Sequence, residues 1–197
     1  MAQAARSSID DRAACAILLE LAQALTAIPP GPAVHLVFSV QEEFNLRGVL
    51  PAATALAPDI ALQIDLILAC DTPDMTSRGD VALGGGPAIS LYSFHGRGTL
   101  NGTIPHPALV NLVETTAAKQ KISLQRSARS GILTDSSYVQ HVGQGVACID
   151  LCFPCRYTHS AREVCDLDDL VGLTELLVAS IAAIGPQFSL NRDDFLQ

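Results

Sequence analysis

The sequence predicts an α/β fold: a predominantly parallel central sheet covered by helices on both faces, in three layers (α/β/α). Three observations carry this expectation. Short, nearly continuous apolar runs rich in β-branched residues stand at 33–40, 59–69, 88–93 and 146–153. Segments with helical apolar spacing alternate with them. No repeat or low-complexity linker divides the 197 residues, a length that suits one core and a single domain. Continuous rather than alternating apolar strands are those buried on both faces. Strands alternating with helices are the mark of parallel crossover units.

The elements follow in chain order. Residues 11–27 repeat apolar positions at helical spacing, and Pro29-Pro30-Gly31 should stop them. The run 33–40 (AVHLVFSV) reads as a buried strand, 45–57 as a short helix, and 59–69 (DIALQIDLILA) as a second buried strand. A Gly-rich stretch from Gly79 to Pro87 leads to the strand at 88–93. Residues 105–121 are helical, with Pro107 suited to a first turn. A short strand is expected at 122–127, a helix at 135–141 ending at Gly143, and a strand at 146–153 ended by Pro154. The acidic run Asp166-Leu167-Asp168-Asp169 suits the N-terminus of a last helix, 168–184.

Composition narrows the function classes. A net charge of −8 opposes general nucleic-acid binding, which needs clustered Lys and Arg, and the sparse basic stretch Lys119 to Arg129 reads as solvated surface. No apolar run reaches the roughly 20 residues that span a bilayer. The N-terminus lacks the apolar centre of a secretory signal, so the chain reads as cytoplasmic. Charged residues are 16% against about 25% in an average domain, which predicts exposed apolar surface and association, as a homo-oligomer or with another subunit. Cys15 and Cys70 fall in apolar runs and read as buried small side chains. Cys148, Cys152, Cys155 and Cys165 include a C-x-x-C match, but no second pair at a zinc-site interval accompanies it, so packing is the expected role.

Chemistry-bearing residues gather where such a sheet places functional groups, at the carboxyl ends of strands. Glu42 and Glu43 follow the 33–40 run, Asp65 sits late in the 59–69 run, His159 follows 146–153, and Asp10-Asp11 precede the first helix. The topology can bring all of them to one rim. Adjacent glutamates at a strand end point in different directions, so one can bind a metal while the other acts as a base. Simpler readings stand beside these. Asp10-Asp11 fits an N-cap pair, Glu42-Glu43 fits solvated loop charge, and His159 fits a hydrogen-bonded loop residue. Asp65 resists such a reading, because a lone carboxylate in so apolar a run is costly unless paired. His35, His95, His106 and His141 have no metal-ligand spacing and read as structural.

The motifs Ile-Asp-Asp-Arg-Ala-Ala-Cys, Phe-Ser-Val-Gln-Glu-Glu-Phe-Asn-Leu-Arg-Gly and Ile-Asp-Leu…Cys-Asp-Thr-Pro occur in order. Leu-Gly-Gly-Gly-Pro-Ala-Ile, Gly-Ile-Leu-Thr-Asp-Ser-Ser and Phe-Pro-Cys-Arg-Tyr-Thr-His-Ser follow them. The set resembles the glutamyl aminopeptidase and tetrahedral (TET) aminopeptidase family, including relatives encoded with sugar-uptake operons. The resemblance implies a zinc-exopeptidase-like fold and removal of N-terminal residues from peptides with two Zn²⁺ or Co²⁺ ions per subunit. It assigns Asp10 as the bridging ligand, Glu43 and His159 as completing one metal site, Asp65 to the other, and Glu42 as general base. Arg12, Asp135 and Tyr157 fall in motif neighbourhoods that supply supporting or substrate contacts.

The family pattern also includes an earlier catalytic segment carrying a histidine ligand, and an inserted β-rich oligomerisation domain. Neither precedes Asp10 here. By this mapping one metal site keeps Asp10, Glu43 and His159, and the other keeps Asp10 and Asp65 without its histidine. The expected function is metal-dependent peptide hydrolysis. The alternatives are an assembly subunit or pseudo-enzyme that keeps the fold, and a hydrolase of a non-peptide amide or glycan.

Overall fold

A computed structural model of the chain describes residues 2–27, 31–96 and 102–195. Its core strand is β6 (Ala147–Arg156), buried along almost its whole length. On one side β6 pairs in parallel with β2 (Ile60–Leu68), in register from Ile60↔Ala147 to Leu68↔Cys155. On the other side it pairs antiparallel with β3 (Ala88–Phe94) at Asp150–Cys152, then with β7 (Glu163–Asp166) from Cys155. The sheet continues through β3 to β5 (Gln125–Ser130) and β4 (Gly102–Thr103), and through β7 to β1 (Gln3–Arg6).

Helices α1 (Ile9–Leu25), α3 (Pro107–Gln120) and α5 (Leu167–Ala183) cover one face. They build the main core with Phe153, Ile89, Ile149 and Leu151 of the sheet. The short α2 (Val49–Leu56) and α4 (Ser136–Val139) cover part of the other face, around Val139, Val146 and Cys148. Three layers therefore form as predicted.

The predominantly parallel sheet does not. Only β2–β6 and β3–β5 are parallel, and the remaining pairings among the described strands are antiparallel. The short return from β6 to β7 explains part of this, since a connection without a crossover helix joins antiparallel neighbours.

The larger correction concerns residues 33–40. They form no strand, and only Leu36 and Ser39 are even half-buried. A strand needs a neighbour for its N–H and C=O groups, and among the described residues none pairs with this segment. A cavity of about 600 Å³ is lined both by residues 32–39 and by β2, whose only ladder partner among the described residues is β6. Val34, Val37, Phe38, Val40 and Phe44 are exposed as a result, which is the sticky surface that the low charge fraction predicted.

Smaller differences have local causes. Helix α2 starts at Val49 rather than 45, because 41–47 are spent in a turn closed by Leu46 N–H to the Glu42 carbonyl at 2.9 Å. Gly48 belongs to that turn, and a Cβ there would run into the Val40 backbone. Strand β5 starts at Gln125 rather than 122, because Ile122 N–H is committed to the Ala117 carbonyl at the end of α3. Pro154 lies inside β6 instead of ending it. It sits where one side of β6 changes partner, after the last β3 pair at Cys152 and before the first β7 pair at Cys155, so its missing N–H is not needed there.

Cys15 is exposed, not buried, because the inward stripe of α1 runs through Ala14, Ile17 and Leu21. The other five cysteines are buried, and none is disulfide-bonded. His106 caps α3, its Nδ1 accepting Ala108 N–H at 3.2 Å. Asp166 does the same for α5 with Asp168 N–H at 2.9 Å, and Asp169 binds the N–H groups of Gly84 and Gly86 at 2.8 Å each. The Pro29-Pro30 stop lies outside the described residues.

Candidate active site

The Asp10-Asp11 pair divides two tasks. Both residues lie off the helical backbone although they stand at the start of α1. Asp11 Oδ1 accepts Ala14 N–H at 2.9 Å, which is N-cap behaviour three residues into the helix. With that donor taken by Asp11, Asp10 is free to face the loops after 33–40 and β6. Its Oδ2 accepts the Thr158 hydroxyl at 3.0 Å and lies 3.1 Å from His159 Nε2. Glu43 Oε2 reaches the same nitrogen at 3.4 Å.

Asp10, Glu43 and His159 are the one group of His, Cys, Asp or Glu side chains among the described residues whose donor atoms converge tightly, all within 4.8 Å of one another. A tetrahedral zinc centre with bonds of about 2.0–2.1 Å has ligand–ligand edges of about 3.3 Å. The two measured edges bracket that value. One imidazole nitrogen with two carboxylate oxygens is also a donor set that zinc accepts. The three residues thus fit one divalent cation, and Asp65 stands outside the group.

A field of carboxylates surrounds them. Burial, followed by the like charges of Asp135, Glu43 and Asp10, pushes Glu42 up to about 7, while His159 works in the opposite sense. Burial likewise raises Asp11 to about 7, with Asp10, Glu42 and Glu163 adding to it and the Ala14 amide opposing. Asp65 is raised well above the ordinary carboxylate range by desolvation and by Asp11, Glu42 and Asp10. Glu42 sits in the turn that follows 33–40. Asp135 is buried, accepts the Ser39 hydroxyl at 2.8 Å, and is itself raised by desolvation.

The remaining predicted residues differ in their placement. Arg12 spends its guanidinium on the Ser7 and Ser8 carbonyls, tying down the turn before α1. Tyr157 is exposed, with positive φ, in the same loop as His159. Sequence reasoning passed over Thr158, Ser39 and Glu163. Glu163 is 2% exposed, and its two oxygens accept the N–H groups of Asp10 and His159, each at 3.0 Å. Only its position four residues after His159 hinted at it.

Comparison with known proteins identifies the family. The chain is 40% identical to SgcX of Escherichia coli (strain K12) over 186 residues, which is 94% of the chain and 50% of the relative. It superimposes on an aminopeptidase from the archaeon Desulfurococcus kamchatkensis with a TM-score of 0.86 and 33% identity, covering 95% of this chain and 51% of that one. Against the Pyrococcus horikoshii TET1 peptidase, described as assembling into a tetrahedron or a large octahedral shell, the TM-score is 0.77 at 29% identity, covering 91% and 50%. The chain therefore spans about half the length of these relatives. A profile of the M42 glutamyl aminopeptidase family matches residues 3–176, and the chain belongs to that family.

Proposed function

We propose that this chain supplies the active-site half of a metal-dependent aminopeptidase. The observation that carries the reading is the convergence of Asp10 Oδ2, Glu43 Oε2 and His159 Nε2 in a donor set suited to one divalent cation. A cation such as Zn²⁺ or Co²⁺ there would supply a Lewis acid that acidifies water and polarises a peptide carbonyl. The protein groups around it have complementary tasks.

Glu42 is the general base. It neighbours Glu43 without being part of the converging group, and its carboxyl is held near 7, where it can take a proton and return it to the leaving amine. Burial does most to raise Glu42, and the like charge of Asp135 adds to it ahead of Glu43 and Asp10. Thr158 engages one oxygen of Asp10 and so orients that carboxylate. Asp65 is near enough to feel Asp10, Asp11 and Glu42. With no histidine converging on it among the described residues, one cation rather than two is the expected loading.

The test is direct. The purified chain is loaded with Zn²⁺ or Co²⁺, the bound metal is counted, and hydrolysis of aminoacyl-nitroanilides is followed with Glu42→Gln in parallel. About one ion per chain, and turnover that Glu42→Gln lowers by roughly 10²–10⁴-fold, supports the reading. Metal bound without turnover instead favours a subunit that needs further chain to complete the site. The half-length match to relatives and the exposed apolar side chains of 33–44 support that second reading.

A further inference from the structure

We propose that Glu163 is a positioning residue that sets the spacing of the cation site by holding the backbones of Asp10 and His159 on one carboxylate. The inference rests on the reading of Asp10, Glu43 and His159 as ligands. Glu163 begins β7, and its side chain is almost wholly buried beneath the site. Oε2 accepts Asp10 N–H and Oε1 accepts His159 N–H, both at 3.0 Å. One planar group thus joins residues from opposite ends of the chain.

Neither backbone is held by regular structure. Asp10 has φ −73° and ψ 102°, off the helical backbone like Asp11 after it, and His159 has φ +58°, a left-handed conformation uncommon for a residue with a side chain. The His159 imidazole is 68% exposed, so packing alone does not fix it. Two hydrogen bonds to one carboxyl group define direction as well as distance. A carboxylate suits the position because it offers two acceptor oxygens and no donor. An amide at the same place offers one acceptor, and its NH₂ meets the second backbone N–H donor to donor.

Glu163→Gln is therefore the informative substitution, with His159→Gln as the control for the site itself. Affinity for Zn²⁺ is measured by chelator competition, and the visible absorption of the Co²⁺-loaded protein is recorded. Wild type should bind, and His159→Gln should abolish tight binding; if wild type binds no ion, the ligand reading fails irrespective of Glu163.

Given wild-type binding, Glu163→Gln should lose roughly 10–100-fold in affinity, the usual cost of removing a group that orients a ligand. It should also alter the Co²⁺ band positions and intensities. A purely structural role would lower the melting temperature while leaving the folded fraction's affinity and Co²⁺ spectrum as in wild type, and that result overturns the proposal. Hydrogen exchange on wild type gives a measurement independent of the variant's folding. The Asp10 and His159 amides should be protected together, and free exchange of both overturns the proposal as well.

Discussion

Replacing Asp11 with Asn should stabilise the metal-free fold at alkaline pH. Asp11 is half-buried near Asp10, Glu42 and Glu163, and desolvation with these charges raises its carboxyl from 3.8 to about 7. A raised carboxyl means the folded state keeps a proton that the unfolded chain has already released. Stability contributed by that proton is complete below about 4, declines as pH rises through 4–7, and is gone above 7, where the fold carries a buried charge.

A rise from 3.8 to about 7, at about 1.36 kcal/mol per pH unit, sets an upper bound on the order of 4 kcal/mol. Glu42 and Asp65 are raised by the same surroundings and are themselves partly protonated where Asp11 ionises, which weakens the repulsion and puts the gain at roughly 2–4 kcal/mol. Asn keeps an oxygen for the Ala14 amide, so the cap survives. Urea unfolding with a chelator present, at pH 4.5 and pH 8, measures the effect. A gain clearly larger at pH 8 is expected. A variant no more stable than wild type at pH 8, or a gain independent of pH, refutes the reasoning.

Further expectations concern the site and the core. Glu43→Gln and His159→Gln each remove one of three converging donors and should weaken Zn²⁺ binding by more than roughly 100-fold, beyond the range typical of supporting groups, as read by calorimetry. Phe153→Ala empties a fully buried position in β6 and should cost about 3–5 kcal/mol in urea unfolding. Gly86→Ala adds a Cβ against the Ser123 carbonyl at φ +94° and should cost at least about 1–3 kcal/mol by the same assay. Val40→Lys replaces a side chain 67% exposed and should change stability by less than about 0.5 kcal/mol, whereas a buried strand would not tolerate it.

Much of the site was legible because its residue types are expensive where they stand. Asp65 in an apolar run, two glutamates after the apolar 33–40 and His159 after β6 each stood out by residue type, and motif order joined them into a family. Asp11 and Glu163 were not legible. Asp11 looks like any helix cap until burial and three neighbouring carboxylates are added. Glu163 acts through main-chain amides, which leave no trace in residue type. Thr158 stood in a quoted motif, yet its bond to Asp10 depends on the loop's path.

The sequence by itself determined the periodicities, and therefore the helices α1, α3 and α5, the strands β2, β3 and β6, and the layers they form. Those elements satisfy most of their backbone locally or bury a stripe that any apolar neighbour can cover. Tertiary structure alone decided strand direction, the partner change that admits Pro154 into β6, and the fate of 33–40. Its apolar, β-branched composition favours a strand, but a strand exists only beside another. Among the described residues no ladder forms there, so the segment stays without regular structure and mostly exposed along the cavity. The metal-type donors were written in the sequence; their 3.1 and 3.4 Å separations came from the fold that holds Asp10, Glu43 and His159 at one point.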